Sequence, residues 1–184
     1  VGATGAVGKE LIANLESRAV PVRNLKLLAS PRSAGQQLAF GGTSIPVEVL
    51  GPDSFAGVDV ALFSAGGETS RAFAVAAGAV VIDNSSAFRM DPEVPLVVPE
   101  INAAALRDHR GIIANPNCST IILVMALAPL HAAAGVERVV VATYQAASGA
   151  GQRAMDELLA GTRASLDRTP FRPEVLPHRL AFNL

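Results

Sequence analysis

The 184-residue chain contains one thiol, Cys118, inside the stretch IIANPNCSTIILVMAL at residues 112–127. Pro116 biases Asn115 away from helical backbone, so a helix is expected to begin just after Asn117, with Cys118 in its first turn. A thiol there meets free backbone N–H groups and the positive end of the helix dipole. Both favour the thiolate, which is the nucleophilic form. A lone cysteine is more commonly an inert apolar filler. Here its neighbours are small and polar, Asn117, Ser119 and Thr120, which favours a reactive sulfur.

A second chemical signal opens the chain. Gly2, Gly5 and Gly8 in GATGAVG form a G-x-x-G-x-x-G pattern, and Leu11, Ile12 and Leu15 follow at helical spacing. Glycines at the head of a helix let the backbone approach a pyrophosphate, whose charge the helix N-terminus favours. Thr4, Gly5, Ala6 and Val7 are therefore the expected cofactor contacts. The bland alternative is a turn rich in small residues. NAD sites place an acid about 20 residues further on, to bind the ribose 2′-hydroxyl. The corresponding stretch here, LLASPRSAG, has no acid but offers Ser30, Arg32 and Ser33. A guanidinium with hydroxyls suits a 2′-phosphate, so the residues point to NADP. Without the glycine loop, Arg32 would read as a solvated surface arginine. FSAGG, Phe63–Gly67, ends a later apolar run, and Ala65 and Gly66 there allow a ligand to lie across a sheet edge.

These groups need a scaffold, and the pattern of the chain supplies one. NLKLLAS, IPVEVL, VDVALFSAGG, VVID and GIIAN read as strands. Helices are expected over GATGAVGKELIANLESR, over ETSRAFAVAAGA with Gly78 as its stop, over INAAALRDH, and after Cys118 with an irregularity at Pro129. VERVVVATYQA reads as a long strand, GQRAMDELLAG as a helix, and the proline-rich tail as irregular. Strands alternating with helices predict an α/β fold, a Rossmann-type doubly wound and mostly parallel sheet. After it comes the start of a second α+β domain. The expected division is 1–115 for the nucleotide-binding domain, whose first strand would precede Gly2, and 116–184 for an incomplete catalytic and dimerisation domain.

Half of the residues are hydrophobic, 17% are charged and the net charge is -1. No basic run suggests nucleic acid or an anionic membrane as partner. IILVMALAPL is too short to span a bilayer. One cysteine excludes an intrachain disulfide and fits a reducing compartment.

GATGAVG, SAGG, DNSSAFRMD, VPEIN, NPNCST and TYQAASGAG occur in one order with matching spacing. Together they closely resemble the aspartate-semialdehyde dehydrogenase family along essentially the whole chain, and NPNCST and TYQAASGAG are the most specific parts. The related N-acetyl-glutamyl-phosphate reductases share the architecture and the cysteine. Their cysteine motif reads more like Asn-Pro-Gly-Cys-Tyr, which is absent here. A non-catalytic nucleotide-binding paralogue is the other alternative.

The resemblance implies a cytoplasmic oxidoreductase of lysine, threonine, methionine and diaminopimelate biosynthesis. It would reduce L-aspartyl-4-phosphate with NADPH, release inorganic phosphate and pass through a thioacyl intermediate on Cys118. It implies that Arg89 and Asn117 bind phosphate, that Gln145 orients the acyl group, and that Ser148 and Gly149 lie near the nicotinamide. Read alone, Arg89 is a loop arginine that could pair with Asp83 or Asp91, Asn117 a helix cap, and Gln145 a polar strand end. The family is dimeric or tetrameric. Its catalytic histidine has no counterpart among His109, His131 and His178, and its carboxylate-binding arginine is also unmatched. The expectation is thus a fragment lacking both ends of the protein and inactive by itself.

Overall fold

The structure is a computed structural model and describes residues 1–75 and 77–183. Helix α1 spans Ala6–Ser17. It is followed by β1 (Leu27–Ala29), β2 (Gln37–Phe40) and β3 (Thr43–Val49). Then come β4 (Val60–Phe63), α2 (Gly67–Phe73) and β5 (Val80–Asp83). A long connection holds the short α3 (Pro99–Asn102) before β6 (Ile112–Ala114). Two longer helices complete the set, α4 (Cys118–Ala134) and α5 (Gln152–Leu166).

The strands form two three-stranded sheets, ordered β1-β3-β2 and β4-β5-β6. β1 runs parallel to β3, with Leu27 opposite Val47, whereas β2 pairs antiparallel to β3. The second sheet is wholly parallel, with Val60 opposite Val80 and Asp83 opposite Ala114. Residues Val1–Ala3 tie the two sheets together. The Gly2 and Ala3 N–H groups donate to the Leu28 carbonyl at 2.8 and 3.1 Å. On the other side the Val1 amino group donates to the Leu62 carbonyl at 2.7 Å, and the Ser64 N–H donates to the Val1 carbonyl at 3.0 Å. The chain therefore enters the glycine loop from between β1 and β4, as a nucleotide-binding α/β fold requires.

The parallel strands are continuous apolar runs because both faces are covered. All three residues of β1 are buried. Phe63 and Val81 are fully buried, and Phe55 stacks on Phe63 with ring centroids 5.7 Å apart. Burying one such aromatic contributes about 1.5–3 kcal/mol. Phe88 joins the same core cluster, which anchors the β5–α3 loop beside Arg89.

Every expected strand from residues 24 to 115 is present, and the strand β2 is additional. The expected second helix is short. It stops at Phe73, and a turn from the Ala77 N–H to the Ala74 carbonyl takes over at 3.3 Å. Ala76, in the expected helical span, lies outside the described residues. α4 includes Pro129, whose ring nitrogen cannot donate to the carbonyl four residues earlier. The long strand expected over VERVVVATYQA does not form. Residues 136–146 have no regular structure and no ladder partner among the described residues. A strand is defined by such a partner, so the β-favouring Val139, Val140 and Val141 remain exposed.

By its contacts the chain divides into two compact units, Val1–Val141 and Ala142–Leu184. The second holds a 3₁₀ turn (Ala147–Ala150), α5 and an irregular tail. Glu157 of α5 accepts the N–H groups of Glu174 at 2.5 Å, Val175 at 2.6 Å and Leu176 at 3.1 Å. Led by the Val175 bond, these donors hold its carboxyl below the ordinary glutamate range.

Candidate functional site

The glycine loop is shaped by contacts that exclude side chains. Gly2 has φ +83°, and a Cβ there would lie 2.6 Å from the Ser64 carbonyl oxygen. At Gly8 a Cβ would lie 2.1 Å from the Gly2 carbonyl oxygen and 2.9 Å from the Ala3 Cα. The helix thus seats directly on the loop. Gly5 is the N-cap of α1 and offers no side chain to its first turn, so first-turn N–H groups are left for an anion. Gly5, Ala6 and Val7 are exposed, and Thr4 is half-buried.

One hydrogen bond brings the next predicted group to this loop. Thr4 Oγ1 and Ser33 Oγ lie 2.9 Å apart. Ser30 caps, and Arg32 lies within, the 3₁₀ turn Pro31–Ser33 that follows β1. Ser30 and Arg32 are exposed to solvent. Ala65 and Gly66 sit at the end of β4, next to Ser64, which crowds Gly2. Gly66 has φ +90° and is the N-cap of α2. Glycine loop, β1 turn and β4 turn thus form one exposed corner at the carboxyl ends of β1 and β4. Its uncapped N–H groups, hydroxyls and free guanidinium fit a phosphorylated dinucleotide.

A second corner lies at the carboxyl ends of β5 and β6. Asn117 has extended backbone and caps α4, its Oδ1 accepting the Ser119 N–H at 3.0 Å. That bond orients the amide with its NH₂ group away from the helix. Cys118 is the first residue of α4, and its thiol is free and exposed. The buried, inert alternative is thereby removed.

Arg89 is half-buried and held by main-chain oxygens. Its Nε donates to the Asn115 carbonyl and its Nη2 to the Asn84 carbonyl, both at 2.9 Å. Asn115 Nδ2 in turn donates to Asn84 Oδ1 at 2.7 Å. One edge of the guanidinium is fixed to the two loops, and Nη1 has no acceptor among the described residues. Neither carboxylate considered as a partner holds Arg89. Asp83 bonds Ser70 and Ser85, and Asp91 accepts the Glu93 N–H. Asn115, which fastens Arg89, is three residues before Cys118.

Asn84 and Asn115 are positioning residues that the sequence did not single out. The Asp-Asn-Ser-Ser run that holds Asn84 signals local side-chain-to-backbone bonding, but nothing in it names a long-range partner.

Gln145, Ser148 and Gly149 belong to the other unit. Gln145 Nε2 donates to Thr143 Oγ1 at 3.2 Å, and Ser148 and Gly149 are in the 3₁₀ turn before α5. All three are exposed. Two histidines serve turns. His131 Nδ1 accepts the Val136 N–H at 3.0 Å where α4 ends, and His109 Nδ1 accepts the Gly111 N–H at 3.1 Å. Among the described residues, no group of His, Cys, Asp and Glu is placed to hold a metal ion. No helix among them is long and apolar enough to cross a membrane.

Two family models match the chain. Residues 1–109 match the semialdehyde dehydrogenase NAD binding domain, and residues 127–184 the semialdehyde dehydrogenase dimerisation domain. The chain is similar to aspartate-semialdehyde dehydrogenase of Synechocystis sp., with 55% identity over all of this chain and 55% of the relative. The Bacillus subtilis enzyme of the same name is 51% identical over all of this chain and 56% of the relative. The chain thus spans about half the length of the curated relatives it matches.

Among solved structures, aspartate semialdehyde dehydrogenase II from Vibrio cholerae superposes with a TM-score of 0.88 at 46% identity, over 99% of this chain and 56% of that one. Its complex with ASA gives 0.87 at 44% identity, with the same coverage. A Candida albicans aspartate semialdehyde dehydrogenase with NADP gives 0.60 at 28% identity, over 74% of this chain and 46% of that one. The first family match covers more than half of the residues and includes both corners' sheet elements up to β5, so the chain belongs to the semialdehyde dehydrogenase family.

Proposed function

We propose that the full-length protein reduces L-aspartyl-4-phosphate to L-aspartate 4-semialdehyde with NADPH, releasing inorganic phosphate, in the cytoplasmic synthesis of aspartate-family amino acids. The observation that carries this reading is the guanidinium of Arg89, fixed by the Asn84 and Asn115 carbonyls on the segment that leads into Cys118. An acyl phosphate needs a phosphate anchor and a nucleophile on one rigid support, and this arrangement supplies both.

Arg89, through Nη1 and the free hydrogen of Nη2, and Asn117, through its NH₂ group, bind the phosphoryl oxygens. The Cys118 thiolate attacks the acyl carbon and forms a C–S bond. The C–O bond to phosphate breaks, and inorganic phosphate leaves with the electron pair. First-turn N–H groups of α4 stabilise the oxyanion, and Gln145 orients the acyl group. NADPH supplies the hydride that adds to the thioester carbon. The C–S bond then breaks, releasing the aldehyde and restoring the thiolate.

For the cofactor, the N–H groups of Gly5, Ala6 and Val7 with Thr4 hold the pyrophosphate. Ser30, Arg32 and Ser33 hold the 2′-phosphate, a preference for NADP over NAD in keeping with the NADP-bound relative. Ala65, Gly66, Ser148 and Gly149 line the nicotinamide end. The catalytic role begins at residue 116, and the matched dimerisation domain supports a homodimer or homotetramer. His109 and His131 are engaged in turns and do not serve as the general acid–base, so the 184 residues alone are expected to give no turnover.

The test is phosphate-dependent reduction of NADP by the full-length gene product, with aspartate semialdehyde set against N-acetyl-glutamate semialdehyde. Cys118→Ser should lower kcat by about 10³-fold or more without altering NADP binding. A serine variant that retains turnover would remove the thioacyl step, and a preference for the acetylated substrate would overturn the substrate assignment.

A further inference from the structure

Asp83 is fully buried at the end of β5, and the mechanism above gives it no chemical task. Its Oδ1 accepts the Ser70 hydroxyl at 2.7 Å and the Ser85 N–H at 3.1 Å. Its Oδ2 accepts the Ser85 hydroxyl at 2.7 Å. Ser85 Oγ then accepts the Ala87 N–H at 3.0 Å, so the bonding continues along the loop towards Arg89. The backbone of Asp83 holds the opposite side, its carbonyl accepting the Asn115 N–H at 2.8 Å. The next residue, Asn84, supplies the carbonyl that receives Arg89 Nη2.

A buried carboxyl group is costly unless its oxygens are satisfied, and here three donors meet it. Only one of them, the Ser70 hydroxyl, comes from another element, α2. The other two belong to the loop that carries Arg89. The carboxyl group therefore draws residues 84–87 back against the end of the sheet, where the Asn84 and Asn115 carbonyls lie within reach of one guanidinium edge.

We propose that Asp83 is the positioning residue for Arg89. Through Ser70 and Ser85 it sets the loop whose carbonyl fixes the guanidinium, and so determines phosphate recognition without touching the substrate. The proposal rests on the reading of Arg89 as the phosphate anchor, and its test separates the two.

Asp83→Asn keeps the shape and the Ser70 contact but turns an NH₂ group towards Ser85 Oγ, which already accepts the Ala87 N–H. The first measurement needs no activity. Phenylglyoxal attacks free guanidinium nitrogens, and modification of Arg89 in the full-length gene product is followed by peptide mass spectrometry. Asp83→Asn should speed it about tenfold, as expected for one misdirected buried hydrogen bond. The second measurement is steady-state kinetics. The KM for phosphate should rise about tenfold, while kcat and the KM for NADP stay within about twofold. In an Arg89→Ala background, Asp83→Asn should add no further loss.

Unchanged Arg89 modification in Asp83→Asn overturns the proposal, whether or not the protein turns over. Equal losses for phosphate and NADP, additive with Arg89→Ala, also overturn it in favour of a general structural role. Faster modification with phosphate KM unaltered supports the positioning and overturns the phosphate role of Arg89. If Asp83→Asn does not fold, Ser85→Ala carries the same measurements. It removes the Oδ2 donor and the Ala87 link but leaves the carboxyl group held by Ser70.

Discussion

The two corners of the first unit are built by opposite means. The glycine corner is made by leaving side chains out. Gly2 and Gly8 bring backbone so close that a Cβ would collide with Ser64 or Gly2, and the binding groups are largely N–H groups of a helix start. The Arg89–Cys118 corner is made by polar side chains that tie loops to the sheet, chiefly Asp83, Asn84, Arg89 and Asn115. Close packing tolerates no added atom. A hydrogen-bonded network tolerates size changes better, but fails when one partner is removed and another is left buried without a bond. The two corners should therefore break under different substitutions.

Adding one methyl group to the glycine corner should do the most damage. Gly8→Ala places a Cβ against backbone that cannot move independently, and should cost about 3 kcal/mol of stability. NADP affinity should fall with it, measured by urea denaturation and by fluorescence titration. Alkylation of Cys118 in the folded fraction should stay unchanged. Equal loss at both corners would erase the distinction.

Arg89→Lys tests the other corner. A single ammonium cannot hold two carbonyls and also present a planar fork to phosphate. The KM for phosphate should rise about tenfold or more, with NADP affinity retained. A lysine variant with native phosphate affinity would show that charge alone suffices.

The second unit gives the smallest effect. Glu157 has its carboxyl held below the ordinary range by the Val175, Glu174 and Leu176 N–H groups. Its folded value lies under its unfolded one. The stabilisation is thus present above the ordinary glutamate range and is lost as pH falls through the lowered value. Hydrogen exchange at residues 174–176 should quicken in acid. Glu157→Gln should give that faster exchange already at neutral pH, leaving both corners of the first unit as they were.

The same contrast decides what could be read from the sequence. Gly2, Gly5 and Gly8 are evenly spaced, and their meaning is local: helix start, close approach, no Cβ. The cysteine at a helix start is legible for the same reason. Pro116 and Asn117 set the boundary, and the extended backbone and side-chain bond of Asn117 mark the cap there. Asp83, Asn84 and Asn115 look like ordinary turn residues because their partners are distant: Asn84 and Asn115 are 31 positions apart. Strand β2 escapes the pattern reading although Gly41 and Gly42, with φ +58° and +74°, supply the two positive-φ positions of a tight hairpin. The long strand expected after Gly135 shows the reverse failure. Valines state a preference for extended backbone, but a strand exists only where a neighbour completes its hydrogen bonds.

The central claim is that Cys118 is an exposed nucleophile set beside a phosphate anchor. Its most direct test is the rate of iodoacetamide alkylation of Cys118 near neutral pH, with and without inorganic phosphate, followed by peptide mass spectrometry. The account predicts a rate above that of free cysteine, slowed by phosphate in the native protein and insensitive to it in Arg89→Ala. A rate at or below that of free cysteine, indifferent to phosphate, would contradict it.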